Sequence, residues 1–290
     1  MSETGSTRSG KTHQTENFPV ASRIVRAEHR PVIMAFYDFA RAADDIADDA
    51  HFSPQEKVAR LDYMEAGLTG DDAADANSQA KTLRAALQAR GMSARHARDL
   101  LIAFRADATK LRYADWWELM SYCAYSANPV GRFVLDVHGQ DEARWPASDA
   151  ICSALQIINH LQDCADDYAK IDRVYIPQDR LAAHGATTEM LGAAKATPAL
   201  RATIVELAER TRALLREGRA LAGDLTDRRL RLEIQVIYGL AEAHLDRLMT
   251  MDPLSERTKL PRWRMGLVAL GAALGGFFQP TAVGRAEARS

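Results

Sequence analysis

A chain of 290 residues, 47% of them hydrophobic and 26% charged, can bury a sizeable core without covalent staples. Its 37 Lys+Arg against 39 Asp+Glu give a net charge of −2, which leaves no basic excess for phosphates and argues against nucleic acid as a partner. With only 17 Gly and 10 Pro among long Ala-, Leu-, Arg- and Glu-rich stretches, the composition argues against an all-β fold.

The first 16 residues are polar and lack the apolar stretch of a secretory signal, so they read as a disordered tail of a cytoplasmic protein. Pro31 opens a helix that runs to Asp49. Ser53-Pro54-Gln55-Glu56 has the spacing of a capping box and starts a second helix, ending near Leu68. A polar loop over 69–77 precedes helices over 78–90, 93–113 and 115–137, the last stopping at His138-Gly139. Ser148 is the expected N-cap of a helix reaching Lys170, which Ile171 to Pro177 then interrupts. Helical patterns fill 197–223, 226–252 and 262–278. The apolar run Met265–Phe278 has 14 residues, short of the roughly 20 that cross a bilayer. It reads as a buried last helix; the alternative, peripheral membrane contact, is favoured by Arg257, Lys259, Arg262 and Arg264 upstream. There is no strand alternation, fixed repeat or linker. The expectation is one all-α domain over 17–278 with a flexible tail at 279–290. Cys123, Cys152 and Cys164 form no Cys-x-x-Cys pair and no closed disulfide set, and read as buried thiols in a reducing compartment.

Two helices carry acids on one face. At about 100° per residue, Tyr37, Arg41, Asp44, Asp45 and Asp48 share a stripe of the first, with Val32, Phe36, Phe39 and Ile46 behind them. Gln156, Asn159, Asp163 and Asp167 share a stripe of the second, backed by Ile157, Ile158, Leu161, Ala165 and Tyr168. Like charges four residues apart cost a helix about 0.2–0.5 kcal/mol, and more if they face inward, so something cationic should compensate. One such cluster would read as a solvated face. Two, each with an apolar back and no lysine four residues on, point to a shared ligand. Hard oxygen donors without His or Cys select Mg²⁺, which binds through one or two carboxylates and substrate phosphate oxygens. A diphosphate held between the two helices is the natural candidate.

At these residues the chain resembles the squalene and phytoene synthase family of head-to-head isoprenoid synthases. One family motif is similar to Tyr37-x-x-x-Arg41-x-x-Asp44-Asp45-x-x-Asp48. The other is similar to Gln156-x-x-Asn159-x-x-x-Asp163-x-x-x-Asp167, followed by Arg173-Val174-Tyr175-Ile176-Pro177. Between them, Tyr122 to Gly131 resembles the family's tyrosine-containing helix that bends beside the reacting carbons. The likeness spans roughly residues 17 to 275.

The resemblance implies an all-α, isoprenoid synthase-like bundle around a central cavity. It implies Mg²⁺ on Asp44, Asp48, Asn159, Asp163 and Asp167, and diphosphate oxygens on Arg41, Arg173 and Tyr175, with Arg257 and Lys259 as weaker donors. Tyr37, Tyr122 and Gln156 are the implied catalytic residues, the tyrosines shielding a cyclopropylcarbinyl cation while Phe36 and Phe133 belong to the core. Within the family, Glu16 to Ser22, Ala40 to Asp45 and Asn159 to Cys164 look most like a bacterial branch of hopanoid biosynthesis. That branch takes presqualene diphosphate and water to hydroxysqualene and diphosphate, so no NADPH is expected. A sister enzyme supplies its substrate, which makes transient contact with that enzyme a further expectation. Where many relatives carry a basic residue before the early Phe, this chain has Glu16-Asn17-Phe18. His138 and His160 are the available general bases, although a histidine beside such a motif more often has a structural part. The alternatives are head-to-head condensation of two prenyl diphosphates to presqualene diphosphate, squalene or phytoene, and a non-catalytic assembly protein of the same fold. The latter should have lost the aspartates retained here.

Overall fold

In the computed structural model, residues 25–70 and 77–277 are described. The tails at 1–16 and 279–290, the early Phe18 segment and most of the 69–77 loop lie outside them. The first half of the chain forms α1 (Arg30–Asp48), α2 (Pro54–Thr69), α3 (Ser78–Gln88), α4 (Arg95–Asp107), α5 (Trp116–Ser126) and α6 (Asn128–Val137). The second forms α7 (Trp145–Gln162), α8 (Cys164–Ile171), α9 (Gln178–Ala183), α10 (Pro198–Glu217), α11 (Leu221–Asp224), α12 (Arg228–Thr250) and α13 (Arg262–Phe277). The fold is all-α: among the described residues, extended pairing is limited to a single parallel bridge between Arg112 and Val174.

Local chemistry sets the helix starts. Ser53 Oγ accepts from the Glu56 N–H at 3.3 Å and the Glu56 carboxylate accepts from the Ser53 N–H at 2.8 Å, so both halves of the capping box form. Asn77, Asp115, Thr197 and Asp227 likewise accept from the first turns of α3, α5, α10 and α12. Ser148 does not cap: α7 begins at Trp145, ahead of Pro146, and Ser148 is buried within its first turns.

Four expected helices are interrupted, and three of the interruptions shape the centre of the molecule. The 93–113 helix stops at Asp107 because the following residues pair with the segment after α8. The Val174 N–H donates to the Leu111 carbonyl and the Gln178 N–H to the Tyr113 carbonyl, each at 2.9 Å. The 115–137 helix bends at Ala127, where Pro129 removes a donor and restricts Asn128; Asn128 Oδ1 accepts from buried Ser153 Oγ at 2.8 Å and fixes the bend. The 148–170 helix breaks at Asp163 (φ −102°, ψ 8°) into α7 and α8. The 197–223 pattern also divides, at Gly218, where a Cβ would lie 2.7 Å from the Ala147 carbonyl oxygen.

Burial divides the interior into two clusters. One joins the inner faces of α1–α4 with Phe133 and Val137 of α6. Phe36 and Phe133 stack there with ring centroids 4.0 Å apart, as core residues. The other gathers α5, α7, α10 and α12, with Ile157, Ile158 and Leu161 at most 2% exposed. Thus the apolar backs of α1 and α7 bury in different clusters, and their acidic stripes meet between them. Cys123 and Cys164 are buried and Cys152 is half-buried; all three are free thiols.

Candidate active site

Between the two clusters lies a cavity of about 470 Å³. All eleven sequence-derived site residues line it: Tyr37, Arg41, Asp44 and Asp48 from α1, Tyr122 from α5, Gln156 and Asn159 from α7, Asp163 at the break, Asp167 from α8, and Arg173 and Tyr175 beyond it. Phe104, Asp107, Ser126, His160 and Lys259 complete its polar and aromatic wall.

The compensating cations come from the chain itself. Arg41 donates to Asp44 at 2.8 Å and to Asp45 at 2.9 Å. Arg173 pairs with Asp48 at 2.9 Å, and Lys259 with Asp163 at 2.7 Å. Three acids of the cavity therefore each hold a cation that a multivalent anion could also use. Arg257, by contrast, is exposed and outside the lining.

Asp107 is the residue that motif spacing did not reveal. It is 5% exposed at the end of α4, where its acid sits at the negative end of the helix dipole. The sequence carried no signal for it, because the expected helix over 93–113 placed Asp107 in mid-helix. Its carboxylate accepts from the Tyr122 hydroxyl at 2.8 Å, and its carbonyl accepts from Arg173 Nη2 at 2.8 Å. Burial pushes the Asp107 carboxyl up to about 6, against the opposing pull of Arg173 and the Tyr122 hydroxyl. Burial also raises the Tyr122 and Tyr175 phenols well above their ordinary range, so both stay neutral donors. For Arg173, burial works against the charge, but the Asp107 and Asp48 carboxylates hold its pKa above the ordinary value.

His160 lies on the cavity wall but stacks on Tyr175 with centroids 3.4 Å apart. Burial, assisted by Arg173, depresses it to about 3, so it is a weak base and an aromatic wall. His138 is elsewhere: it sits against His29, centroids 4.4 Å apart, near Asp227, and its Nδ1 faces the Val134 carbonyl at 2.8 Å. It is not part of the cavity. The donor set of the cavity suits a hard divalent cation, since Asp44, Asp48, Asp163, Asp167 and Asn159 offer oxygen and the one imidazole present is engaged in stacking.

A backbone feature aims the Arg173 side. Asp172, at the end of α8, is left-handed (φ 51°), and its carbonyl and carboxylate both accept from Arg112. The reversal turns Arg173 back into the cavity, where its side chain is 5% exposed.

The family model for squalene/phytoene synthase matches residues 11–264. The chain is 51% identical over 272 residues to a hydroxysqualene synthase of Rhodopseudomonas palustris, covering 94% of this chain and 92% of that protein. It is 49% identical over 265 residues to a hydroxysqualene synthase of Sinorhizobium fredii, covering 91% and 90%. Among solved structures it is similar to the squalene synthase HpnC of Alicyclobacillus acidocaldarius, with TM-score 0.68 and 33% identity over 78% of this chain and 85% of that one.

Proposed function

We propose that this chain, which belongs to the squalene/phytoene synthase family, converts presqualene diphosphate and water to hydroxysqualene and diphosphate. One observation supports this most: relatives at about half identity over nine-tenths of their length carry that activity in their names. The cavity has the parts the reaction needs.

Asp44, Asp48, Asn159, Asp163 and Asp167 would hold Mg²⁺, the ion their oxygen donors favour. When bound, the metal supplies neutralisation of diphosphate oxygens, which makes the diphosphate a better leaving group. Arg41 and Lys259, now paired with Asp44 and Asp163, exchange a carboxylate for diphosphate oxygens. Arg173 Nη1 does the same from Asp48, while Nη2 keeps its bond to Asp107. Tyr175 adds a neutral hydroxyl donor beside it.

Ionisation leaves a carbocation that must be kept from premature quenching. Tyr37 and Tyr122 offer π faces and oriented hydroxyl dipoles on the cavity wall, and Gln156 an amide dipole. Asp107 fixes the Tyr122 hydroxyl through the 2.8 Å bond. The expected capture is by water, without NADPH, and the substrate reaches the site from a sister enzyme by transient contact. Because substrate and product are lipids, we also propose peripheral contact of this protein with a membrane. Among the described residues, no helix is long and apolar enough to cross one.

The test is incubation of purified protein with presqualene diphosphate and Mg²⁺, with and without NADPH or EDTA, and mass analysis of the extracted lipid. Hydroxysqualene made without NADPH and lost with EDTA supports the reading. Consumption of farnesyl diphosphate, with presqualene diphosphate left untouched, overturns it in favour of the condensing half-reaction.

A further inference from the structure

The last helix was expected to be buried, and it is only half so. On one side Met265 and Val268 pack against Val236, Leu240 and Leu260. On another, Trp263, Leu267 and Leu270 are 66%, 59% and 57% exposed. Steps of four and three residues place those three on one helical stripe, so the open face is continuous. An apolar face of this kind marks an interaction surface rather than ordinary scatter.

The charges around it narrow the partner. Arg257, Arg262 and Arg264 are exposed, and the Arg264 guanidinium lies 5.9 Å from the Trp263 ring centroid. From Arg257 to Phe278 the sequence holds four basic residues and no acid. A second copy of the chain docking through this face would be isologous, and would bring these arginines against their own equivalents. An indole at the helix start, flanked by arginines and followed by aliphatic side chains, matches instead the chemistry of a lipid interface, with rings at the headgroups and aliphatics at the acyl boundary.

The position of the face matters as well. Lys259 stands three residues before α13, lines the cavity and pairs with Asp163. The exposed stripe is therefore joined to the cavity wall by a few residues.

We propose that the Trp263–Leu267–Leu270 face of α13 seats the protein on an anionic lipid bilayer, with Arg257, Arg262 and Arg264 at the headgroups. The seat gives a lipid a short path between the bilayer and the cavity. This deepens the membrane contact proposed above and draws its purpose, but not its physics, from the proposed lipid substrate.

The experiment is flotation of the full-length protein with vesicles of phosphatidylcholine alone and of phosphatidylcholine mixed with phosphatidylglycerol, at low and high salt. Partition onto the mixed vesicles should exceed that onto phosphatidylcholine by about tenfold and fall with salt. The triple variant Trp263→Ser, Leu267→Gln, Leu270→Gln should lose about tenfold of that partition. The pair Arg262→Glu, Arg264→Glu should lose the preference for anionic vesicles while keeping its circular dichroism. Tryptophan emission should shift to the blue on vesicle addition, and that shift should vanish in Trp263→Phe. Equal flotation of the triple variant and the parent protein would overturn the proposal. So would a dimer in light scattering that the triple variant abolishes, which would assign the face to a second copy. Diphosphate release from detergent-dispersed presqualene diphosphate, measured in parallel, should be unchanged in the triple variant. Its absence in the parent protein would sink the catalytic reading and leave the flotation result standing.

Discussion

Arg173 holds Asp48 at 2.9 Å with one guanidinium nitrogen and the Asp107 carbonyl at 2.8 Å with the other. It ties the end of α1 to the end of α4 from the segment that follows α8. A planar fork does this and an ammonium does not, so Arg173→Lys is not conservative here. The variant should lose on the order of 10²–10³ in turnover of presqualene diphosphate, by analogy with removal of one preorganised donor. Steady-state kinetics at saturating Mg²⁺ will check this, and parental turnover would show that the fork is dispensable.

Lys259 and a metal compete for the same carboxylate, because Lys259 Nζ already lies 2.7 Å from Asp163. Lys259→Ala is therefore expected to lower the Mg²⁺ concentration needed for half-maximal rate and to raise KM for the diphosphate substrate. Asp163→Asn should move the first quantity the other way and lower turnover by about 10²-fold. A Mg²⁺ titration of all three proteins separates these effects.

Removing the Tyr122 hydroxyl leaves the buried Asp107 carboxylate with one fewer donor. Tyr122→Phe should cost about 1–3 kcal/mol in stability at neutral pH. The cost should shrink toward pH 5, where Asp107, raised to about 6, is protonated and no longer needs a donor for its charge. Urea denaturation of both proteins at the two pH values is the measurement.

His244 gives an acid sensitivity of opposite sign to that of Asp107. It is buried, with Nδ1 2.8 Å from Gln162 Nε2, and burial lowers it from 6.5 to about 4. The unfolded chain thus binds its proton first, and this residue's contribution to stability falls by up to about 1.4 kcal/mol per pH unit as pH drops from about 6.5 toward 4. Asp107 has its folded value raised, so it adds stability as pH drops through 6 toward 4. His244→Gln should flatten the loss of stability on acidification, and Asp107→Asn should steepen it. Thermal unfolding at pH 7, 6 and 5 reads both slopes.

Two glycines mark where helices touch most closely. A Cβ at Gly131 would meet Ser148 Oγ at 2.4 Å and Cys152 Sγ at 2.5 Å; at Gly218 it would meet Ile151 Cγ1 at 2.4 Å and the Ala147 carbonyl at 2.7 Å. Both alanine variants should be destabilised by about 1–3 kcal/mol, Gly218→Ala more, because a backbone carbonyl yields less readily than a rotatable side chain. Differential scanning of the two variants would rank them.

The α-helical class, most helix starts and the two acidic stripes were legible because period and capping are local signals, whereas Tyr122, Arg173 and Tyr175 were reached only through the family resemblance. Ser53 with Glu56, and the stripes of α1 and α7, are examples. The bend at Ala127 was legible too, through Pro129 and the resemblance of Tyr122 to Gly131, with buried Ser153 holding it. The break at Asp163 was not, and the stop at Asp107 was not because it is decided by the distant 173–178 segment. Asp107 escaped for the same reason, since its donors Tyr122 and Arg173 lie 15 and 66 residues away in the chain. Ser148 has the residue type of a cap, but Pro146 enters the helix instead of preceding it, which puts Ser148 inside the first turn. The apolar stretch of α13 did not reveal which of its faces would be covered.

The interruption at Asp163 also bears on how such a site can change over time. In one unbroken helix, any rotation that re-aimed Asn159 would swing Asp167 by the same angle, so the two positions would drift together. With a joint between them, α7 answers to the packing of Ile157 and Ile158, whereas α8 answers to the turn at Asp172. The two ends of the second motif can then be adjusted in separate substitutions, and a new ligand shape can be met by altering one end while the other keeps its grip.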